Sequence, residues 1–192
     1  MEKLTVINLR GTSGSGKTYI VKQILAHGNW SRWTDSNGKI LGYYNESNRW
    51  AIVGSYETPC GGCDTIKTQA EVKSRIYMLL QWGYNVLFEG LVISTITQGW
   101  MDFANSIKPQ ANTMFCYLNT PIETCIQQVR SRRESNGKSP EFNTDNTVNR
   151  VKSIQSTRDK LRNAGFWCVE GSSSDILHYL NQFFGIGGNL DV

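Results

Sequence analysis

Hydrophobic and polar positions along the chain form blocks with two different periods. Four short apolar runs have the length and the β-branched and aromatic content of buried strands; they are residues 4–9, 84–90, 113–118 and 166–171. Apolar residues recur at helical spacing in segments 17–27, 65–82, 95–107, 121–133, 145–165 and 175–184. Because strands that alternate with helices are typical of a parallel sheet covered on both faces, the pattern predicts an α/β fold. We expect three αβα layers around a parallel sheet of about five strands.

Residues 30–64 depart from this alternation. They are rich in Trp, Tyr, Asn and Gly, and two β-like runs, "KILGYY" and "RWAIVGSY", flank the turn-forming "NESN". We therefore expect a β-hairpin insertion near the acceptor site, inside one domain that spans residues 1–192 and ends in a loose tail over 185–192. A length of 192 residues suits a single hydrophobic core.

The first strand leads directly into "GTSGSGKT", which fits the phosphate-loop pattern G-x-x-x-x-G-K-S/T. A strand before the loop and a helix after it form the context in which this pattern binds a nucleoside triphosphate. Backbone N–H groups of such a loop converge on the β-phosphate, in front of a helix N-terminus. The expected nucleotide-binding residues are Gly11, Thr12, Ser13, Gly14, Ser15, Gly16, Lys17 and Thr18.

Three side chains near this loop are candidates for the chemistry of ATP and Mg²⁺. Lys17 is expected to bridge the β- and γ-phosphates of ATP, and the hydroxyl of Thr18 to hold Mg²⁺. Glu89 ends the second apolar run, at the position from which an acidic residue would support the same ion. The alternative for Glu89 is a solvated carboxylate at the end of a strand.

A basic segment follows the third apolar run. Arg130, Arg132 and Arg133 close one predicted helix, and Arg150 lies in the next, with the polar "ESNGKSPEFN" between the helices. Arginine stabilises the charge that spreads over a transferring γ-phosphate, and a loop that closes over the site excludes water. We predict a lid over residues 130–150 with Arg130, Arg133 and Arg150 as catalytic residues. The helix dipole is an alternative reason for an arginine at a helix end.

Two segments of the basic region carry a family resemblance. "YLNTPIETCIQQVRSRR" and "DNTVNRV" resemble the helix that enters the lid and the arginine-bearing helix after it in kinases of the nucleoside-monophosphate-kinase-like group. The resemblance implies transfer of a phosphate under a lid. It also implies that the acceptor site is built mainly by residues 30–82. The base-reading motif N-K-x-D, which switch GTPases need, does not occur in the sequence.

Residues 30–82 contain several candidates for a general base. Asp64 is the first and Asp35 the second, because a base must reach the acceptor hydroxyl from a loop that faces the phosphate loop. Asp64 also precedes a predicted helix, so it could be an N-cap, and the two roles are compatible. The aromatic residues of the segment either stack on a base or pack beneath the hairpin. These residues are Trp30, Trp33, Tyr43, Tyr44, Trp50 and Tyr56.

A second, narrower resemblance concerns the acceptor. "ETPCGGCDTIKTQAEV" resembles a stretch in the bacteriophage kinases that phosphorylate 5-hydroxymethyluracil within DNA. The resemblance implies ATP and Mg²⁺ as cofactors, DNA containing 5-hydroxymethyluracil as partner, and Asp64 near the acceptor hydroxymethyl group. Two alternatives remain: a kinase of free nucleosides or nucleotides, and a nucleotide-binding regulator that transfers no phosphate.

Composition adds few constraints. A net charge of +4 permits an anionic partner without requiring one. No apolar stretch approaches the roughly 20 residues that span a bilayer, and the N-terminus lacks a signal-peptide pattern. We therefore expect a cytoplasmic enzyme, in an infected bacterial host if the phage resemblance holds. Cys60 and Cys63 form a C-x-x-C that we interpret as part of a tight Gly-rich loop, with a zinc site as the alternative. Nothing in the sequence indicates an oligomeric state.

Overall fold

Seven strands form one sheet in the computed structural model, which describes residues 2–58 and 61–185. The strands are β1 (Leu4–Arg10), β2 (Ser31–Thr34), β3 (Ile40–Asn45), β4 (Trp50–Val53), β5 (Asn85–Glu89), β6 (Ala111–Leu118) and β7 (Trp167–Gly171). Their order across the sheet is β2-β3-β4-β5-β1-β6-β7. The five neighbouring strands β4, β5, β1, β6 and β7 are parallel to one another. The carboxyl ends of β5, β1 and β6 therefore meet at one edge of the sheet.

Helices cover both faces of the sheet. They are α1 (Lys17–Ala26), α2 (Gln69–Gln81), α3 (Leu91–Ser94), α4 (Gln98–Ile107), α5 (Ile122–Ser135), α6 (Asp145–Asn163) and α7 (Ser173–Phe184). Apolar residues of α2, α3, α4 and α6 form the core on one face, and those of α1 and α7 form the core on the other. The predicted three-layer α/β fold with five parallel strands is therefore confirmed.

The hairpin is present, but its strands extend the sheet instead of forming a separate insertion. β3 pairs antiparallel with both β2 and β4, and β4 pairs parallel with β5. All four residues of β4 are buried. A strand that is buried on both faces belongs inside a sheet, and this burial explains why the apolar "WAIV" joins the parallel core.

The aromatic residues of the hairpin region pack in the core. Trp50 is buried, and its indole Nε1 donates to the backbone oxygen of Phe183 at 2.8 Å. Trp30 lies against Phe184 at the end of α7, with a ring-centroid distance of 6.2 Å. Tyr43 and Tyr56 are buried in the same core cluster. These contacts favour the packing interpretation of the aromatic residues over base stacking.

Two predicted helix starts are corrected. The helix expected from residue 65 begins only at Gln69, with Thr68 as its N-cap, after a 3-10 turn over Cys63–Thr65. The helix expected from residue 121 begins at Ile122, and no side chain in the described ranges caps its N-terminus. The Thr120 hydroxyl instead donates to the backbone oxygen of Ser15 at 2.8 Å, because the turn before α5 packs against the phosphate loop.

None of the helices in the described ranges is long and apolar enough to cross a bilayer. The predicted tail over 185–192 lies outside the described residues except for Gly185. That glycine ends α7 in the left-handed conformation, with φ 64°.

Candidate active site

The phosphate loop lies at the carboxyl edge of the sheet, between β1 and α1. Gly14 and Gly16 have φ of 77° and 100°, a conformation that favours glycine. A Cβ at Gly14 would lie 2.3 Å from the backbone oxygen of Cys125, so α5 packs directly on the loop. No described side chain caps the N-terminus of α1. The first N–H groups of α1 are therefore suited to a phosphate group.

Lys17 is buried, with 6% of its surface exposed. Its ammonium donates to the backbone oxygens of Gly11 and Thr12, at 2.8 and 3.0 Å. Burial lowers the pKa of Lys17, and the neighbouring carboxylates of Glu89 and Asp64 act in the opposite direction. Among the described residues, its hydrogen-bond partners are these two carbonyl oxygens of its own loop, which a buried cation can exchange for phosphate oxygens.

Glu89 ends β5 next to the start of α1 and is 1% exposed. Its Oε1 accepts a hydrogen bond of 3.1 Å from the hydroxyl of Thr18. Burial raises the pKa of Glu89 to about 7 in spite of the charge of Lys17, which lowers it. The hydroxyl and the carboxylate are hard oxygen donors at the distance of neighbouring ligands, so this pair fits Mg²⁺.

Asp64 lies beside this pair, but the helix that it caps is not the one next to it in sequence. Its carboxylate accepts from the backbone N–H of Leu91 at 2.9 and 2.8 Å and from that of Val92 at 3.3 Å. The predicted N-cap role for the helix after residue 64 is therefore corrected: Asp64 caps α3, which begins two residues after Glu89. The side chain of Asp64 is exposed, and its predicted role as general base stays a prediction.

The loop that carries Asp64 depends on glycine. A Cβ at Gly62, which has φ 78°, would lie 2.5 Å from Glu89 Oε1, and one at Gly54 would lie 2.5 Å from the backbone of Gly62. Cys63 is buried, with its Sγ 3.9 Å from the backbone oxygen of Val53. Cys60 lies outside the described residues. The ranges 2–58 and 61–185 contain no group of three or more His, Cys, Asp or Glu that could hold a metal ion.

The predicted lid arginines occupy different environments. Arg130 and Arg150 are exposed. Arg133 donates through Nε to the backbone oxygen of Ser139 at 2.7 Å, so it holds the loop between α5 and α6. The pKa of Lys17 is lowered first by burial, and the positive charge of Arg132 is a smaller cause in the same direction. Arg132 was not among the predicted catalytic residues, because its position relative to Lys17 depends on how α5 packs against the phosphate loop.

A cleft of about 180 Å³ opens on the side of the phosphate loop that faces α6. Thr12 and Tyr117 line the side formed by the loop and β6, and Gln155 lines the opposite side. An ion pair of 2.5 Å between Arg158 and Glu170 joins α6 to β7 at the far end. On this side the cleft leaves the phosphate loop accessible, between the sheet and α6.

The buried lysine and the threonine–carboxylate pair, at the edge of a parallel sheet, define the protein as a phosphate-loop nucleotide-binding protein. A family model for 5-hmdU DNA kinase matches residues 3–171. The chain therefore belongs to the 5-hmdU DNA kinase family. The predicted resemblance to the bacteriophage kinases of 5-hydroxymethyluracil in DNA is confirmed.

Individual relatives agree with the family match. A 5-hmdU DNA kinase of Pseudomonas phage PaMx11 is 32% identical over 195 residues, which cover 95% of this chain and 98% of the relative. A 5-hmdU DNA kinase of Pseudomonas phage M6 is 32% identical over 168 residues, or 80% of this chain and 83% of the relative. Among solved structures, a shikimate kinase from Acinetobacter baumannii in complex with shikimate is 18% identical. Its TM-score is 0.41, with 98% of this chain and 97% of that chain covered.

The raised pKa of Glu89 predicts a pH-dependent effect of Glu89→Gln on stability. The folded-state pKa of about 7 lies above the ordinary value of 4.5, so the wild type loses stability as pH rises between these values. At pH 8 without nucleotide or Mg²⁺, Glu89→Gln should be more stable than the wild type by up to about 3 kcal/mol. At pH 5 the difference should be small.

Urea unfolding at both pH values measures this effect, with Glu141→Gln as the control for loss of an exposed carboxylate. Equal stabilities of wild type and Glu89→Gln at pH 8 would show that burial does not penalise the ionised carboxylate.

Proposed function

We propose that this protein transfers the γ-phosphate of ATP to the hydroxymethyl group of 5-hydroxymethyluracil in phage DNA. The observation that carries the proposal is the family match over residues 3–171. The geometry of the phosphate loop supports the donor half of the reaction. Because the relatives belong to bacteriophages, the proposed place of action is the cytoplasm of an infected bacterial cell.

The binding of ATP, the phosphate donor, would use the phosphate loop and the pair formed by Thr18 and Glu89. Lys17 would exchange the carbonyls of Gly11 and Thr12 for phosphate oxygens, since its ammonium already lies in the hollow of the loop. Thr18 and Glu89 would hold Mg²⁺, which when bound supplies positive charge against the β- and γ-phosphate oxygens. Ionisation of Glu89 becomes favourable once a divalent cation offsets the cost of its burial.

The lid would supply a further positive charge. Arg132 is the first candidate, because its charge is among the causes that lower the pKa of Lys17 and an arginine near the loop would stabilise the charge on the transferring phosphate. Arg133 holds the loop between α5 and α6 through Ser139 and would set the shape of the lid. Arg130 and Arg150 are exposed, and their proposed contact with phosphate requires closure of the lid.

The acceptor half would use Asp64. Its carboxylate lies on the rim of the site, close enough to Glu89 and Lys17 to affect the pKa of both. The hydrogen bonds from Leu91 and Val92 fix its position, and the exposure of its side chain leaves it accessible to a hydroxyl group. A fixed carboxylate within reach of the acceptor is what a general base requires.

Burial of the reaction centre restricts how a base in DNA can approach it. Lys17 and Glu89 are 6% and 1% exposed, whereas a hydroxymethyl group on a stacked base lies within the major groove. Enzymes that act on a base inside a duplex take the base out of the stack, at a cost of a few kcal/mol. The proposed substrate is therefore a base that has left the stack, and single-stranded DNA should react more readily than duplex DNA.

The test of the proposed function supplies γ-labelled ATP with four acceptors. These are single-stranded and duplex DNA containing 5-hydroxymethyluracil, the same DNA with thymine, and a panel of free nucleosides and nucleotides. Label should appear in the DNA with 5-hydroxymethyluracil alone, faster in the single strand. Lys17→Ala should abolish the transfer, because Lys17 carries the charge that meets the phosphates. Label in the free nucleotides alone would overturn the proposal in favour of a small-molecule kinase.

Asp64→Asn separates the base role from the cap role. The asparagine oxygen still accepts from the N–H groups of α3, so the cap is largely kept while the proton acceptor is lost. We expect kcat to fall by roughly 10²–10⁴-fold. The affinity for ATP and the unfolding free energy should change little. A loss of stability with a nearly unchanged kcat would assign Asp64 to capping alone.

Arg132→Ala and Arg130→Ala form a matched pair, since both remove an arginine from the last two turns of α5. Loss of an arginine that stabilises the transferring phosphate should lower kcat by about 10²-fold. We expect the larger loss for Arg132→Ala, measured by single-turnover transfer with thermal stability recorded for both variants. The reverse order would assign the phosphate contact to Arg130.

A further inference from the structure

The cleft between the phosphate loop and α6 adjoins the end of the loop from which phosphate would be transferred. Gly11 and Thr12 form the wall of the cleft on the side of the loop. The ammonium of Lys17 donates to the backbone oxygens of these same two residues, at 2.8 and 3.0 Å. The lysine of a phosphate loop reaches the β- and γ-phosphates. The cleft therefore lies at the γ-phosphate end of the loop, where an acceptor must lie.

The size and charge of the cleft suit a small uncharged ring. Its volume of about 180 Å³ is below the roughly 300 Å³ at which pockets for drug-sized ligands begin, so it has room for one ring and not for a whole nucleotide. Its charged residues are Arg158 and Glu170, which form an ion pair of 2.5 Å with each other. This pair leaves no single charge for a phosphate group, and Val151 and Ile154 add apolar contact area.

Three polar side chains that line the cleft have no hydrogen-bond partner in the ranges 2–58 and 61–185. Thr12 is 3% exposed, and its hydroxyl oxygen is buried and unpaired. Asn119 and Gln155 are exposed, and neither side-chain amide is bonded. Because buried polar groups are nearly always satisfied, the Thr12 hydroxyl indicates a ligand oxygen at this end of the loop.

Two amides match the Watson–Crick edge of a uracil ring. This edge presents one N–H group between two carbonyl groups. One side-chain amide can accept from the N–H and donate to one carbonyl, and a second amide can donate to the other carbonyl. Enzymes that act on an unstacked base read it through this edge and pack apolar side chains on its faces. The hydroxymethyl group is on a different edge of the ring, so it stays free to face the phosphate loop.

Hydrogen bonds through α3 connect the wall of the cleft with Asp64. The backbone N–H of Gly11 donates to Oγ of Ser94 at 3.2 Å, and Ser94 ends the helix whose first turn Asp64 caps. On α6, the hydroxyl of Thr157 lies 3.2 Å from the hydroxyl of Tyr117 and 3.2 Å from the backbone oxygen of Ser94. The cleft therefore adjoins the helix that positions the candidate general base.

We propose that the cleft holds the 5-hydroxymethyluracil ring of the acceptor DNA, with the amides of Gln155 and Asn119 on its Watson–Crick edge and its hydroxymethyl group directed toward Thr12. The sheet order puts this pocket at β6 and β7, on the side of β1 opposite to the hairpin. It is separate from residues 30–82, to which the family resemblance assigns most of the acceptor site. The inference rests on the proposed function for the identity of the base, and it assigns the residues that read that base.

The experiment compares two single-stranded oligonucleotides that differ at one position, which is 5-hydroxymethyluracil in one and an abasic site in the other. With a non-hydrolysable ATP analogue bound, the wild type should bind the first at least about 10-fold more tightly in fluorescence anisotropy. Gln155→Met removes the amide and keeps the length of the side chain. It should reduce this preference by about 10-fold, because a bidentate contact to a base is lost. The kcat/KM for DNA should fall by a similar factor, with the KM for ATP unchanged.

Two further variants make the test specific. Asn119→Ala, on the opposite wall of the cleft, should also reduce the preference for the intact base. Gln182→Met is the matched control, since Gln182 is an exposed glutamine of α7 outside the cleft, and it should leave both affinities unchanged. Urea unfolding should show equal stabilities for all three variants and the wild type, because the substituted side chains are exposed.

The outcomes separate the pocket from the kinase function. A wild type without base preference, or a preference undiminished in both Gln155→Met and Asn119→Ala, would overturn the inference. A higher KM for ATP with unchanged DNA binding would assign the cleft to the adenine ring of ATP and would also overturn it. Base-dependent binding that these two variants reduce, without transfer to any DNA, would reject the kinase function alone.

Discussion

The buried carboxylate of Glu89 constrains the structure around the phosphate loop, because a charge with 1% exposure requires fixed compensating groups. The Thr18 hydroxyl bonds it directly, and the ammonium of Lys17 opposes the effect of burial on its pKa. Without a nucleotide these groups offset the burial only in part, so the pKa of Glu89 stays near 7. The energy that burial costs in the free protein is thus available to favour binding of a divalent cation.

The backbone near Gly54 and Gly62 is shaped by its contact with that carboxylate. Gly62 and Gly54 have no room for a side chain, since Gly62 packs against Glu89 and Gly54 against Gly62. The Ser55–Gly62 bridge closes the loop, with a hydrogen bond of 2.9 Å. Gly62 packs on the carboxylate, and Asp64 lies beside the first turn of α3, where it accepts from Leu91 and Val92. Steric limits at Gly61 and Gly62 therefore explain the two glycines of the "GGCD" segment.

The site residues that could be predicted from the sequence alone are those whose role depends on their neighbours in the chain. The phosphate loop and Glu89 follow from a glycine pattern and from the end of an apolar run, and both lie where the pattern predicts. Asp64 was found as a candidate, but its capping partners lie 27 and 28 residues away, and no local signal indicates them. Arg132 was missed as a candidate site residue for the same reason, because its position relative to Lys17 depends on the packing of α5.

Several unsatisfied polar atoms lie where the nucleotide is expected. Within the described residues, seven buried side-chain atoms have no hydrogen-bond partner, and three of them are Nη2 of Arg10, Oγ1 of Thr12 and Oγ of Ser15. The other four belong to Tyr56, Trp100, Thr113 and Asn181. Thr12 and Ser15 belong to the phosphate loop, and Arg10 immediately precedes it. Because native proteins satisfy nearly all buried polar groups, a cluster of exceptions in one place indicates a conformation that is incomplete without its ligand. These unsatisfied polar groups lower the stability of the protein without its ligands. Hydrogen bonds to bound phosphate and cation would reduce that loss of stability.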